Sequence, residues 1–244
     1  MTAWPARMGV GPDLTMVLAA GRGPCDAGAI KELIMLRALS LFLLLACAGG
    51  AVAGLWGGSP EPDAKVAISG LSQQLFNDPD APVIGNPHGT ITIVEFTDYN
   101  CSYCRKNAPE LDALLSAHPE LRLVIREWPI FGEESTLAAA AALAAQKQGK
   151  YPEFHALLMA TYGPTSEPAI RRAALAVGLD LPQMMQDIDS PEIYAHFERS
   201  DFLAEALGIA GTPSFVIGDR VIFGYLGRGD LEEILSDGGL LTKK

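Results

Sequence analysis

The stretch VEFTDYNCSYCRKNAPELDALL, residues 94–115, holds two cysteines three positions apart, where a strand pattern changes into a helix pattern. Residues 91–97, ITIVEFT, form a β-branched and aromatic run that favours a strand. Residues 101–117 carry apolar side chains at helical spacing. We therefore expect Cys101 to lie where a helix begins, and Cys104 to lie one turn later, on the same side and less exposed.

A helix start changes the chemistry of a thiol. A thiol attacks only as the thiolate, and a free cysteine has a pKa of about 8.5. Unpaired N–H groups and the positive end of the helix dipole stabilise an anion there. The spacing also permits reversible disulfide formation, in which Cys101 attacks or is attacked and Cys104 resolves the mixed disulfide. The expected redox group is the Cys101–Cys104 disulfide itself, with no metal and no organic cofactor.

Two simpler uses of the cysteine pair remain open. A zinc site would need a second ligand pair, and the histidines lack close ligand spacing; they are His88, His118, His155 and His196. A purely structural disulfide would close so short a loop that it would stabilise the fold little. Redox chemistry fits the spacing better than either alternative.

The acidic residue of the strand is a second indication of redox chemistry. Glu95 alternates with Ile91 and Ile93 on one face of an otherwise apolar strand. It is therefore expected to be buried near the sulfurs, although an exposed charge on an edge strand is the alternative. A buried carboxyl has a raised pKa and could carry protons to or from Cys104.

A third indication comes from Gly211-Thr212-Pro213, which directly precedes another strand pattern. A cis Thr212–Pro213 peptide bond would leave an unpaired strand edge that could bind an extended substrate chain. An ordinary turn before a strand is the alternative, because proline is common at that position.

Other polar and aromatic residues near these motifs carry less information. Asp98 and Arg105 either tune the electric field at Cys101 or are simply solvated. Four aromatic side chains are expected in the core on the basis of their usual burial: Trp128, Tyr151, Phe154 and Tyr162.

Composition excludes some classes of function. The chain has 244 residues, of which 49% are hydrophobic and 19% charged, so a sizeable core is expected and wholesale disorder is not. The net charge of −11 and the pI near 4.8 argue against a nucleic-acid-binding protein, which would need a basic surface.

The N-terminal segment indicates export. Residues 38–56, ALSLFLLLACAGGAVAGLW, are apolar or small and follow a basic flank. This pattern is typical of a secretory signal cleaved after Ala53, with translation starting at Met35. An uncleaved membrane anchor and a lipoprotein signal at Cys47 are the alternatives. Each would deliver the domain to an oxidising compartment.

The order of the elements predicts the domain organisation. After the export segment at 1–53, residues 54–82 are expected to form a linker and a short amphipathic helix. Residues 83–132 and 208–244 together form an α/β core, and residues 133–207 are helical throughout. The sequence therefore predicts an α/β fold interrupted by an all-helical insertion.

Local patterns add detail to this organisation. The amphipathic helix covers residues 65–77, and residues 135–148 form a strongly helical, Ala-rich segment. Gly218-Asp219 between two short strand patterns indicates a hairpin. A closing helix at 230–237 has Asp230 as its expected N-cap.

Taken together, several motifs resemble one known family. EFTDYNCSYC, then Ala108-Pro109 in the helix and GTPSF at 211–215, is similar to the thioredoxin fold. The helical insertion, the segment VIGNPHGTITIVEFTDYNCSYC and the segment REWPIFG make residues 83–239 similar to exported DsbA-like thiol:disulfide oxidoreductases.

The resemblance assigns a role to each site residue. It implies that Cys101 is the attacking cysteine, Cys104 the resolving cysteine and Glu95 a buried acid. It also implies a cis-proline loop at Thr212 and Pro213 that contacts the substrate.

Two further residues expected at the substrate depart from the family pattern. Ser102 and Tyr103 replace the Pro-His associated with the strongly oxidising DsbA. Without that imidazole the Cys101 thiolate loses one stabilising partner, which implies a lower redox potential.

These observations predict a periplasmic thiol:disulfide oxidoreductase that forms disulfides in client proteins. Its partners would be reduced or misfolded exported proteins and a membrane re-oxidant resembling DsbB, or else a reductant, and residues 38–56 would serve as a possible membrane tether. One alternative is an isomerase or reductase that acts as an oligomer, with residues 65–77 as the oligomerising helix. Another is a non-catalytic binding or chaperone module with a structural disulfide.

Overall fold

The computed structural model of the chain describes residues 64–241. The predicted export segment at 1–53, the start at Met35 and most of the predicted linker lie outside the described residues. The helices are α1 (Ala64–Phe76), α2 (Ser102–Ala117), α3 (Glu133–Lys147), α4 (Tyr151–Met159), α5 (Glu167–Ala176), α6 (Leu181–Asp187), α7 (Pro191–Ala206) and α8 (Arg228–Asp237). The strands are β1 (Val83–Gly85), β2 (Ile91–Thr97), β3 (Leu121–Glu127), β4 (Ser214–Ile217) and β5 (Arg220–Phe223).

The five strands form one mixed sheet in the order β1-β3-β2-β4-β5. The two central strands β2 and β3 are parallel, with Ile91 opposite Leu121 and Thr97 opposite Glu127, and α2 connects them. Most side chains of β2 and β3 are buried, which agrees with their largely apolar sequences. This crossover places the start of α2, and with it the cysteine pair, at the carboxyl end of β2.

The hairpin and the helical insertion follow the predicted patterns. Strands β4 and β5 pair antiparallel around Gly218-Asp219, and Gly218 has φ +60°, as a two-residue hairpin turn requires. Helices α3 to α7 come between β3 and β4 in the chain. Residues 138–145 of the Ala-rich α3 are all buried, and all but Leu143 are alanines, whose small side chains let α4, α5 and α6 pack closely.

Helix α1 is attached to the sheet by apolar and polar contacts. Ile68 and Leu75 are buried in the same cluster as Phe96 of β2. Arg122 on β3 donates to the Phe76 carbonyl oxygen at 2.5 Å, and Arg126 donates to the Gln74 carbonyl oxygen. The last carbonyl groups of α1 thus have partners on a neighbouring strand.

Two expectations about single residues were wrong. Tyr162 is fully exposed, because it lies in the loop between α4 and α5 rather than on a helix face. Helix α8 begins at Arg228 after Gly227, so Asp230 is its third residue, where the carboxylate accepts the Gly227 N–H at 3.0 Å. Tyr151 and Phe154 are buried as expected. Trp128 packs half-buried against the core, and its indole N–H donates to Asp201 at 2.5 Å.

Across residues 64–241 no helix has both the length and the apolar character needed to span a bilayer.

A buried ion pair behind α1 gives a test of this part of the fold. Asp78 accepts from Arg126 at 2.7 Å and from Arg199 at 3.2 Å, and the Arg126 side chain is fully buried. Because Asp78→Asn leaves that guanidinium without its counter-ion, we expect it to lower the free energy of unfolding by about 3 kcal/mol. The measurement is urea denaturation.

Asp80→Asn is the matched control, since Asp80 contacts Arg199 from the same loop but is largely exposed. It should change the free energy of unfolding by less than about 1 kcal/mol. Equal effects of the two variants would contradict the account.

Candidate active site

The cysteine pair lies at the start of α2, as the sequence predicts. Cys101 is the N-cap of the helix and Cys104 is in its first turn; both are free thiols, 4% and 0% exposed respectively. The Cys101 Sγ accepts the Cys104 backbone N–H at 3.4 Å. The sulfur therefore occupies the position in which a serine or aspartate oxygen usually caps a helix.

The surroundings of Cys101 favour its thiolate. The pKa of Cys101 is lowered to about 6, chiefly by the hydrogen bond from the Cys104 thiol; burial opposes this, and contacts with Thr212 and the amides of Tyr103 and Cys104 add to it. In its thiol form Cys101 donates to the Thr212 carbonyl oxygen, 3.2 Å away. At neutral pH the first sulfur is consequently poised as a nucleophile.

The second sulfur has the opposite environment. Burial raises the pKa of Cys104 far above the usual range, and the hydrogen bond to Cys101 and the charge of Glu95 raise it further. The reduced pair thus holds one proton at neutral pH, and that proton is on Cys104.

The acid predicted in β2 is buried. Glu95 is 2% exposed, and burial raises its pKa to about 8; the polar side chain of the neighbouring Thr97 opposes the shift, and the charges of Glu127, Cys101 and Asp112 add to it. Glu95 also lines a cavity of about 250 Å³ bounded by the sheet, α2 and α4. A carboxyl in this environment is protonated at neutral pH and has access to a space large enough for several waters.

The proline loop lies beside the first sulfur. The Thr212–Pro213 peptide bond is cis, as expected, and Pro213 is buried immediately before β4. A groove of about 420 Å³ runs along this loop and is lined in part by Thr212, Pro213 and Phe223. Ser102 and Tyr103 are exposed on the first turn of α2.

A buried carboxylate fixes the loop before the cysteines. Asp98 accepts hydrogen bonds from the Asn100 amide at 2.7 Å and the Ser135 hydroxyl at 2.8 Å, and from the amides of Ile130 and Phe131 at 2.8 and 3.1 Å. These four donors join the end of β2, the loop after β3 and the start of α3.

An arginine next to the second cysteine ties the insertion to the same loop. Arg105 donates to the Tyr99 carbonyl oxygen at 2.6 Å, to the Gly163 carbonyl oxygen at 2.5 Å and to the Thr165 hydroxyl at 2.6 Å. The sequence left open whether Asp98 and Arg105 are solvated. Only the Asp-x-Asn pattern, which favours a side-chain-capped turn, was available as a signal.

A second buried acid was missed altogether. Glu127, at the end of β3, accepts hydrogen bonds from Tyr99 at 2.6 Å and Tyr151 at 2.5 Å, and His155 Nδ1 lies 2.9 Å from the Tyr99 hydroxyl oxygen. The available signal was a glutamate that ends an apolar strand, the same type of signal that pointed to Glu95.

The family follows from similarity to known proteins. A profile described as the DSBA-like thioredoxin domain matches residues 92–236, more than half of the chain. The chain therefore belongs to the DSBA-like thioredoxin family, which has the fold of thiol:disulfide oxidoreductases. The expected α/β thioredoxin-like fold with a helical insertion is confirmed.

Solved structures agree with this assignment. The chain is 48% identical to a thioredoxin-like oxidoreductase from Silicibacter pomeroyi, with a TM-score of 0.67 over 70% of this chain and 98% of that one. It is 30% identical to a periplasmic thioredoxin-like protein from Salmonella enterica serovar Typhimurium, with a TM-score of 0.64 over 68% of this chain and 94% of that one.

Curated relatives are longer proteins. An alignment of 162 positions, which covers 63% of this chain, shows 29% identity to the Na⁺/H⁺ antiporter NhaA 3 of Salinispora tropica. The matching segment is 25% of that antiporter, so this chain spans about a quarter of the length of the curated relatives it matches.

The hydrogen bond between the cysteines can be tested by removing its donor. Cys104→Ala should raise the pKa of Cys101 by about one unit or more, because the thiolate loses the thiol that stabilises it. The pH dependence of Cys101 alkylation, followed by mass spectrometry, measures this pKa. Ser116→Ala, at the exposed far end of α2, should leave it unchanged. A Cys101 pKa that stays near 6 in Cys104→Ala would show that the hydrogen bond is not its main cause.

Proposed function

We propose that the chain is an exported thiol:disulfide oxidoreductase that forms disulfides in client proteins through Cys101 and Cys104. The observation that carries the proposal is the difference between the two sulfurs. Cys101, with a pKa lowered to about 6, lies beside Thr212, whereas Cys104 is fully buried with a raised pKa.

The first step uses the oxidised pair. A client thiolate attacks the Cys101 sulfur, a client–Cys101 disulfide forms, and the Cys101–Cys104 bond breaks with its electron pair on Cys104. The Cys104 thiolate takes up a proton because its pKa is raised, and Glu95, which is protonated at neutral pH, is its proposed source. Glu95 then regains a proton from water in the adjoining cavity.

The second step releases the client. A second client thiolate attacks the client sulfur of the mixed disulfide, and Cys101 leaves as a thiolate. The client has lost two electrons and the cysteine pair has gained them. Since a sulfur of low pKa leaves readily, the surroundings of Cys101 favour this step.

Client binding is assigned to the proline loop and its groove. We place the client backbone against Thr212 and Pro213, with Ser102 and Tyr103 on the opposite side of Cys101. The groove is largely apolar, since Pro213 and Phe223 line it. An extended, unfolded segment of a reduced exported protein fits such a surface better than a folded one.

The oxidase direction is supported by the thiolate rather than by the residues between the cysteines. Although Ser102 and Tyr103 supply no imidazole, the pKa of Cys101 is still lowered. Stabilising this thiolate stabilises the reduced form, which makes the disulfide a stronger oxidant. Continued turnover requires re-oxidation by a membrane partner of the quinone-linked class that resembles DsbB.

Export to the periplasm and a tether through residues 38–56 remain part of the proposal. A periplasmic thioredoxin-like protein with 30% identity supports the compartment. The antiporter relatives, in which the matching segment is a quarter of a longer chain, support a domain that works attached to another segment.

The oligomeric isomerase has less support. It would use residues 65–77 to assemble several copies. The buried side chains of α1, Ile68 and Leu75, already pack in the core cluster of their own chain. The other alternative is a non-catalytic binding module with a structural disulfide. It does not explain why the pKa of Cys101 is lowered.

Activity should depend on the first sulfur. With a reduced two-cysteine peptide as client and a glutathione buffer as oxidant, Cys101→Ser should lower the rate of disulfide formation to that of the buffer alone, because Ser cannot form the mixed disulfide. Ser116→Ala should retain the wild-type rate. A Cys101→Ser protein with undiminished activity would defeat the catalytic proposal.

Equilibration with the same glutathione buffers gives the redox potential of the cysteine pair, and this potential shows whether the protein acts as an oxidase or as a reductase. A potential of about −120 mV supports an oxidase, and one of about −270 mV a reductase, on the scale set by DsbA and thioredoxin themselves.

A further inference from the structure

The buried acid Glu127 is not used by the mechanism above. Its carboxyl is fully buried at the end of β3. One oxygen accepts the hydroxyl groups of Tyr99 and Tyr151, and the other has no hydrogen-bond partner within residues 64–241. A buried carboxyl that is only half satisfied is costly, so a purely structural role explains it poorly.

Glu127 lies on the same face of the sheet as Glu95. The parallel pairing of β2 and β3 places Thr97 directly opposite Glu127, and Glu95 is two residues before Thr97. Side chains two positions apart on a strand share a face. Thr97 therefore lies beside both carboxyls, and the charge of Glu127 is among the causes that raise the pKa of Glu95.

Glu127 also reaches the cavity beside Glu95 through two neighbouring side chains. His155 lines the same cavity as Glu95, and its Nδ1 lies 2.9 Å from the Tyr99 hydroxyl oxygen, which in turn donates to Glu127. Burial lowers the pKa of His155 to about 4, so the ring is neutral at neutral pH. The hydrogen-bonded group of Glu127, Tyr99 and His155 thus reaches the cavity that Glu95 also lines.

The surroundings of this pair offer little positive charge. Burial raises the pKa of Glu127 to about 8, the hydroxyl groups of Tyr151 and Tyr99 oppose the shift, and the charge of Asp98 adds to it. The ionisable groups that face the two acids are Asp98, Tyr99, Cys101, Cys104, Arg105, Asp112, Tyr151, His155 and His196. Arg105 is the cation among them, and its guanidinium is engaged with Tyr99, Gly163 and Thr165.

We propose that Glu127 is a positioning residue of the redox site, which acts through Glu95 by making loss of the Glu95 proton harder. The inference rests on the proposed function. When the client thiolate breaks the Cys101–Cys104 bond, Glu95 passes its proton to Cys104 and becomes a carboxylate. Because ionisation of one acid disfavours ionisation of the other, Glu127 keeps Glu95 protonated, and ready for this transfer, to higher pH.

The experiment uses Glu127→Gln, which keeps an oxygen acceptor for both tyrosines but cannot ionise. Without a charge at position 127, Glu95 loses its proton at lower pH. The rate of attack by one client on the oxidised protein should therefore begin to fall about one pH unit earlier on the alkaline side than in wild type. The client is the same in both profiles, so its own ionisation cancels.

Glu198→Gln is the matched control, because it removes one charge from an exposed position on α7. It should leave unchanged the pH at which the rate begins to fall on the alkaline side. If a folded Glu127→Gln protein shows the same alkaline fall in rate as wild type, the proposal is overturned and Glu127 has a packing role alone.

A direct titration needs no variant and no activity. In oxidised wild type labelled with ¹³C at the glutamate carboxyls, in which neither cysteine ionises, the signals of Glu95 and Glu127 should each show two steps, because each senses the ionisation of the other. Independent single steps would overturn the coupling. Since this measurement does not depend on turnover, its failure is distinguishable from failure of the oxidoreductase activity, which Cys101→Ser reports.

Discussion

The contact between the two sulfurs governs the rest of the site. Cys101 caps α2 by accepting the Cys104 amide, and the thiol of Cys104 stabilises the same sulfur as an anion. Burial works against the ionisation of Cys104, so the single proton of the reduced pair is on Cys104 and the negative charge is on Cys101. Thiol–disulfide exchange needs two different sulfurs. One forms the mixed disulfide with the client, and the other leaves, takes up a proton and remains buried.

Polar contacts between the loop that carries Cys101 and the helical insertion maintain this asymmetry. Asp98 accepts hydrogen bonds from the loop after β3 and from α3, and Arg105 donates a hydrogen bond to the loop after α4. Behind the helix, Glu95 and Glu127 lie on neighbouring strands in surroundings that keep both carboxyls protonated at neutral pH. The helical insertion therefore does more than cover the sheet, because its residues hold the loop that carries Cys101.

Local sequence patterns predicted the features that depend on neighbouring residues. The strand at 91–97, the helix start at Cys101 and the burial of Glu95 follow from periodicity and composition over short windows. The partners of Asp98 and Arg105 could not be found in this way, because Ser135 and Thr165 are 37 and 60 residues away in the chain. Tyr162 was misplaced for a related reason, since aromatic character does not show whether a residue lies on a packed helix face or in a loop.

The pH dependence of the redox potential tests the division of the proton between the sulfurs most directly. With the Cys101 pKa at about 6, reduction takes up two protons below that pH and one proton above it. For a two-electron couple, the potential should change by about 59 mV per pH unit below the break and by about 30 mV per pH unit between the break and pH ~7.5. A slope that stays at about 59 mV per pH unit throughout this range would mean that both sulfurs are protonated at neutral pH, and would contradict the account.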